Sequence, residues 1–127
     1  MARVLIVEDN VDAAEALREL MVLFGHDLAV AHDPEAALAL VREQVPDVAL
    51  LDLDLPQMDG IALGRTLRKV PGASRLRLIA VTGHGSMQHR WAAWRAGFER
   101  YFVKPTDARE LCDAIAERPL RRMPRVL

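Results

Sequence analysis

The chain has 127 residues, 51% of them apolar, enough for one domain with a real core and too few for a second of ordinary size. A formal net charge of −1 argues against a nucleic-acid binder that works by bulk electrostatics, because the only basic cluster is Arg118, Arg121, Arg122 and Arg125 near the end. Cys112 is the single cysteine, so no internal disulfide can form, and no apolar run approaches membrane-spanning length.

Val4-Leu5-Ile6-Val7 is a short strand-like run that ends at the acidic pair Glu8-Asp9, and Asn10 is placed to cap a helix. In that helix Ala13, Leu17, Leu20 and Phe24 recur at helical spacing and predict the buried face, and Gly25 stops it. Residues 28–31 read as a second strand. Asp33-Pro34 then supplies a cap and an N1 proline ahead of Ala37, Leu38 and Val41. Pro46 separates this second helix from a strand at 47–51. A third helix from about Ile61 to Lys69 is expected to bury Ile61, Leu63 and Leu67, and Pro71-Gly72 ends it. Residues 76–81 predict strand four, 87–96 helix four, 101–103 strand five, and 107–117 helix five, in which Cys112 falls on the apolar face as a small core residue.

Five short strands thus alternate with five helices. Each strand is a continuous apolar run without in-out alternation, as expected when helices cover both faces of a parallel sheet. The fold class is α/β, a single doubly wound five-stranded parallel sheet, and the flavodoxin-like order 2-1-3-4-5 is the common solution at this size. The domain is expected over residues 1–118, with 119–127 as a tail or the start of a linker.

In such sheets ligands bind beyond the carboxyl ends of the strands, near the point where the strand order reverses. The polar residues fall on that edge: Glu8-Asp9 after strand one, Asp52 after strand three, Thr82 at the end of strand four, and Lys104-Pro105 after strand five. A carboxylate at the end of a hydrophobic run is costly to bury without a cation beside it. Three carboxylates converging with an ammonium and a hydroxyl suit a divalent cation and a phosphoryl group. Magnesium takes a few carboxylate oxygens and keeps several waters, so Asp9 and Asp52 are the direct ligands and Glu8 acts through water. Asp52 can then serve as nucleophile, with the metal, Lys104 and the Thr82 hydroxyl holding the phosphoryl oxygens. The chain carries 15 arginines and only two lysines, so a lysine at this place reads as a choice of compact ammonium over guanidinium fork.

These residues resemble the receiver domain of two-component response regulators, the fold of the chemotaxis receiver. The acidic pair matches Glu8-Asp9, the phospho-acceptor with its proline four residues on matches Asp52 and Pro56, and the turn matches Met58-Asp59-Gly60. The switch hydroxyl matches Thr82, and the Lys-Pro pair matches Lys104-Pro105. The resemblance covers about residues 2–117. It implies that Asp52 accepts a phosphoryl group from a phosphohistidine on a sensor histidine kinase or histidine phosphotransfer protein, with magnesium bound partly by the Asp54 backbone carbonyl. It further implies that Thr82 is drawn toward the phosphoryl oxygens, that Tyr101 moves inward, and that helix four, strand five and helix five form the output face. That face would meet a downstream protein, an attached domain or a second copy of the chain. The protein would act on itself alone, and so as a switch, not an enzyme. It would be cytoplasmic, standing alone or as the cytoplasmic part of a larger hybrid kinase, with no direct contact to nucleic acid or membrane.

Two other readings compete. A receiver-like module could bind without phosphorylation, although the acceptor, metal and lysine positions are all intact. Asp52 with Asp54 also resembles the nucleophile and acid pair of haloacid-dehalogenase-type phosphatases, but here the pair follows strand three, position 56 is proline, and no second acidic pair follows Lys104. Within the receiver reading, Asp54 and His84 are candidates for tuning the phosphorylated lifetime. Trp91 and Trp94 stand three apart on helix four and are candidates for the output surface, with Ala92, Ala93 and Ala96 packing beneath. His84 and His89 lack a third ligand for zinc and read as loop residues, and His26 and His32 read as surface.

Overall fold

A computed structural model of the chain describes residues 2–83 and 85–117. The expected boundary at 118, the tail 119–127 and His84 lie outside the described residues. Five parallel strands, β1 (Arg3–Val7), β2 (Asp27–Ala31), β3 (Val48–Leu51), β4 (Arg77–Thr82) and β5 (Phe98–Val103), form one sheet in the order β2-β1-β3-β4-β5. Five helices alternate with them: α1 (Val11–Leu23), α2 (Pro34–Glu43), α3 (Gly60–Arg68), α4 (Met87–Arg95) and α5 (Ala108–Ala116). The expected fold class and strand order are both present. None of the described helices is long and apolar enough to cross a membrane.

Side chains of a strand alternate between the two faces of the sheet, and both faces here are dry. Val4, Ile6, Val48, Leu50, Ile79 and Val81 pack with Met21 of α1 and Leu111 and Ile115 of α5. Leu5, Val7, Ala49, Leu51, Leu78 and Ala80 pack on the other face with α2, α3 and α4. This double burial is why the strands read as unbroken apolar runs.

The helix starts obey their caps. Asn10, Asp33 and Ser86 each accept a hydrogen bond from the backbone N–H three residues on, at 2.9, 2.8 and 3.2 Å, worth about 1 kcal/mol each. Asp59 and Asp107 do the same two residues on, at 3.0 and 2.8 Å.

Several local expectations are corrected. On α1 the buried residues are Ala14 and Met21, with Leu17 beside them, whereas Ala13 is exposed and Leu20 and Phe24 are 46% and 48% exposed. This helix carries more apolar residues than one stripe can bury, and a one-residue offset rotates the face by about 100°. On α3 the buried set is Gly60, Leu63, Gly64 and Leu67, and Ile61 is only half-buried. Beneath α4, Ala93 and Ala96 are buried while Ala92 is exposed. Strand β5 begins at Phe98, three residues before its expected start.

That early start was hidden by Glu99-Arg100, a charged pair inside a strand. The β4–β5 register shifts between Leu78 and Ile79, so that Leu78 pairs with Phe98 but Ile79 pairs with Arg100, leaving Glu99 as the extra residue. Arg77 takes it up: Nε and Nη2 contact the Glu99 carboxylate at 3.0 and 2.7 Å. The same guanidinium donates to the carbonyls of Ala114 and Ile115 at 2.9 and 2.7 Å, closing the C-terminal turn of α5.

Candidate functional site

Strand register builds the site before any side chain is considered. Val7 pairs with Leu51, so the next residues, Glu8 and Asp52, emerge side by side, and the Asp52 N–H donates to the Val7 carbonyl at 3.0 Å. Thr82 pairs with Val103, and the Lys104 N–H donates to the Thr82 carbonyl at 2.8 Å. These residues stand at the carboxyl edge, beside the place where the strand order reverses between β1 and β3.

Glu8 and Asp52 are buried, at 7% and 6% exposure, while Asp9 is exposed. One oxygen from each of the three lies within 4.8 Å of the others. Lys104 reaches across from β5, ion-paired to Glu8 and 3.1 Å from Asp52 Oδ2. The other acceptor oxygen, Oδ1, receives the Asp54 N–H at 2.9 Å, so the carboxylate is oriented from both sides. The Asn10 N–H holds Glu8 Oε2 at 3.2 Å. A cleft of about 490 Å³ opens beside these groups, walled by Ala13, Leu17 and Leu20 of α1 and by Pro105 and Thr106.

An ion pair should lower the carboxyl pKa and raise the ammonium pKa, yet here both rise. For Lys104, burial pulls the value down but is outweighed by the Glu8 hydrogen bond and the Asp52 charge. Glu8 is pushed up by burial first and then by Asp9 and Asp52, against Lys104 and the Asn10 N–H. Burial and crowding act together: one ammonium pairs with both Glu8 and Asp52, so the ammonium is stabilised, while buried Glu8, with Asp9 and Asp52 close by, is left short of positive charge. The donors are all hard oxygens without sulfur or imidazole, and the uncompensated charge is two. That set fits a hard divalent cation such as magnesium, which Glu8, Asp9 and Asp52 could hold.

Thr82 is fully buried, and its hydroxyl donates to Asp54 Oδ2 at 2.8 Å. Tyr101 lies half-buried on β5 with the Arg90 guanidinium 4.9 Å above its ring, and burial raises its phenol pKa. Trp91 and Trp94 are half-buried on α4 and meet edge to face, with centroids 5.8 Å apart. The expected site residues Glu8, Asp9, Asp52 and Lys104 are brought together, Thr82 joins through Asp54, and the tryptophans stand apart.

Two contributors escaped sequence reasoning. His32, expected on the surface, is half-buried with Nδ1 3.0 Å from the Glu8 carbonyl oxygen; a carbonyl only accepts, so the ring nitrogen carries the proton. Gly60, read only as part of a turn, packs so closely that a Cβ there would lie 2.5 Å from both the Asp52 carbonyl oxygen and Leu53 Cα. Its position four residues after Pro56 carried no sign of that contact.

A doubly wound sheet with an acidic cluster and one lysine at its switch point is the architecture of a signalling receiver. The response regulator receiver domain family matches residues 4–116, and the chain belongs to that family. Its relatives include the "uncharacterized 14.6 kDa protein in sodA1 3'region" of Leptolyngbya boryana, 34% identical over 108 residues, 85% of this chain and 82% of that one. The response regulator protein FleR of Pseudomonas aeruginosa is 33% identical over 97% of this chain, which spans 26% of FleR. Response regulator MprA of Mycobacterium avium is 32% identical over 86% of the chain, which spans 47% of that protein. Among solved structures, the CheY-like receiver domain protein of Methanospirillum hungatei superposes with a TM-score of 0.81 at 28% identity, covering 91% of this chain and 90% of that one. The Francisella response regulator 1452 receiver domain gives 0.82 at 27% identity, covering 91% and 93%. The protein is a receiver domain of two-component signalling, a signalling domain and not a classical enzyme.

Proposed function

We propose that the protein is a phosphorylation-dependent switch that accepts a phosphoryl group on Asp52 from the phosphohistidine of a sensor histidine kinase or phosphotransfer protein. The observation that carries this reading is the charge imbalance at one edge: three carboxylates within 4.8 Å of one another, with Lys104 paired to Glu8 and Asp52. Buried carboxylates in excess of cations are expensive unless a ligand completes them.

In the transfer, an Asp52 carboxylate oxygen forms the new P–O bond while the donor's P–N bond breaks, its electron pair staying on the imidazole, which takes up a proton. The Asp54 N–H and Lys104 hold Asp52 in place for this attack. Lys104 then offers positive charge to the phosphoryl oxygens. Asp9, Asp52 and the Asp54 carbonyl would hold magnesium, with Glu8 through water, and the cation when bound supplies charge neutralisation and orientation. Thr82 turns toward the phosphoryl group and Tyr101 moves inward, which shifts the population of surfaces offered by α4, β5 and α5, including Trp91 and Trp94, to a downstream protein, an attached domain or a second copy. The setting we propose is the cytoplasm.

Beryllofluoride or acetyl phosphate with magnesium should change tryptophan fluorescence, and Asp52→Asn should abolish the change. A silent signal together with no phosphoryl adduct by mass spectrometry would sink the switch and favour a phosphorylation-independent binding module. Steady turnover of a small phosphorylated substrate would favour the phosphatase reading.

A further inference from the structure

We propose that the Asp54 side chain is a positioning residue that restrains the switch: in the resting protein it accepts the hydrogen bond that the Thr82 hydroxyl would otherwise donate to a phosphoryl oxygen. The inference rests on the receiver reading and deepens it. Thr82 is fully buried at the end of β4, and its Oγ1 donates to Asp54 Oδ2 at 2.8 Å. A hydroxyl has one proton to donate. Thr82 cannot keep this bond and also donate to a group on Asp52, so activation exchanges one acceptor for the other. Both acceptors are anionic, so the bond given up is of the stronger, charge-assisted kind.

The surroundings place Asp54 where it can impose that exchange. Its own N–H is already committed to Asp52 Oδ1 at 2.9 Å, which ties the segment carrying the latch to the acceptor itself. Asp54 thus meets the acceptor through its backbone N–H and the switch hydroxyl through its side chain. Asp54 is itself exposed, so replacing it disturbs no core packing.

The simpler account of any Asp54 effect is repulsion, since a carboxylate near an incoming anion disfavours it whatever Thr82 does. A double-mutant cycle separates the two. Beryllofluoride affinity in magnesium, read by tryptophan fluorescence, should tighten about tenfold in Asp54→Ala and about threefold in Asp54→Asn, which keeps a weaker neutral acceptor. In a Thr82→Val background the Asp54→Ala effect should shrink to less than about twofold. As a check without any anion or metal, the Thr82 methyl resonance of Asp54→Ala should move toward its position in the beryllofluoride-saturated wild type. Equal tightening with and without the Thr82 hydroxyl, or an unmoved methyl resonance, overturns the proposal and leaves the receiver reading standing. Absence of magnesium-dependent beryllofluoride binding in the wild type overturns both.

Discussion

The two ends of the sheet solve the same problem in opposite ways. At the amino edge, Glu99 is buried inside a strand, and Arg77 meets it with a forked contact while spending its other donors on the last carbonyls of α5. Every charge there has a partner, and the geometry is closed. At the carboxyl edge, Glu8 and Asp52 are just as buried, but one lysine is shared between them and a third carboxylate, Asp9, lies beside them. The first cluster is structural because it is complete. The second is left with more carboxylates than cations, and the difference lies in charge count and in the donor geometry of a guanidinium fork against a compact ammonium, not in burial.

That contrast breaks most visibly at Arg77. Arg77→Ala should cost roughly 3–5 kcal/mol in urea unfolding, because Glu99 is left buried without its cation. The double replacement Arg77→Met with Glu99→Leu should recover most of that loss; a double variant as unstable as the single one would mean that the α5 carbonyls, not the ion pair, carry the effect. Gly60→Ala comes next. Its Cβ would strike backbone at 2.5 Å, so a loss of about 1–3 kcal/mol is expected, together with slower phosphorylation of Asp52 as its carbonyl is displaced. Normal stability with normal acceptor kinetics would show that the loop relaxes freely.

Asp9→Asn tests the other edge. Removing one of three crowded carboxylates should leave stability unchanged or raise it by up to about 1 kcal/mol, while magnesium affinity falls by about tenfold or more. Loss of stability without loss of magnesium binding would place Asp9 with the structural charges. The smallest effect concerns His26, whose Nδ1 accepts the Ala2 N–H at 3.3 Å and whose pKa is lowered by burial. A group with a depressed folded pKa protects the fold above its unfolded value, near pH 6.5, and that contribution is lost as pH falls through the folded value. His26→Gln should therefore flatten the stability profile slightly below pH 6.5; an unchanged slope would show that the proton is accommodated in place.

The class of fold, the strand order and the placing of Glu8, Asp9, Asp52, Thr82 and Lys104 on one edge were all legible in the sequence. The reason is physical: a parallel sheet buried on both faces demands continuous apolar runs, and a charge that ends such a run must stand at the sheet's edge. What only the tertiary structure decided were contacts made across elements far apart in the chain. The true face of α1 depended on which of two adjacent apolar rows met the sheet, a difference of one residue's rotation. The early start of β5 depended on Arg77, 22 residues before Glu99. Gly60 and His32 take their roles from backbone atoms of Asp52 and Glu8 that no pattern in the sequence marks. Asp54 belongs to the same class: its spacing from Asp52 is visible in the chain, but its hold on Thr82, 28 residues away, exists only once β3 and β4 lie side by side.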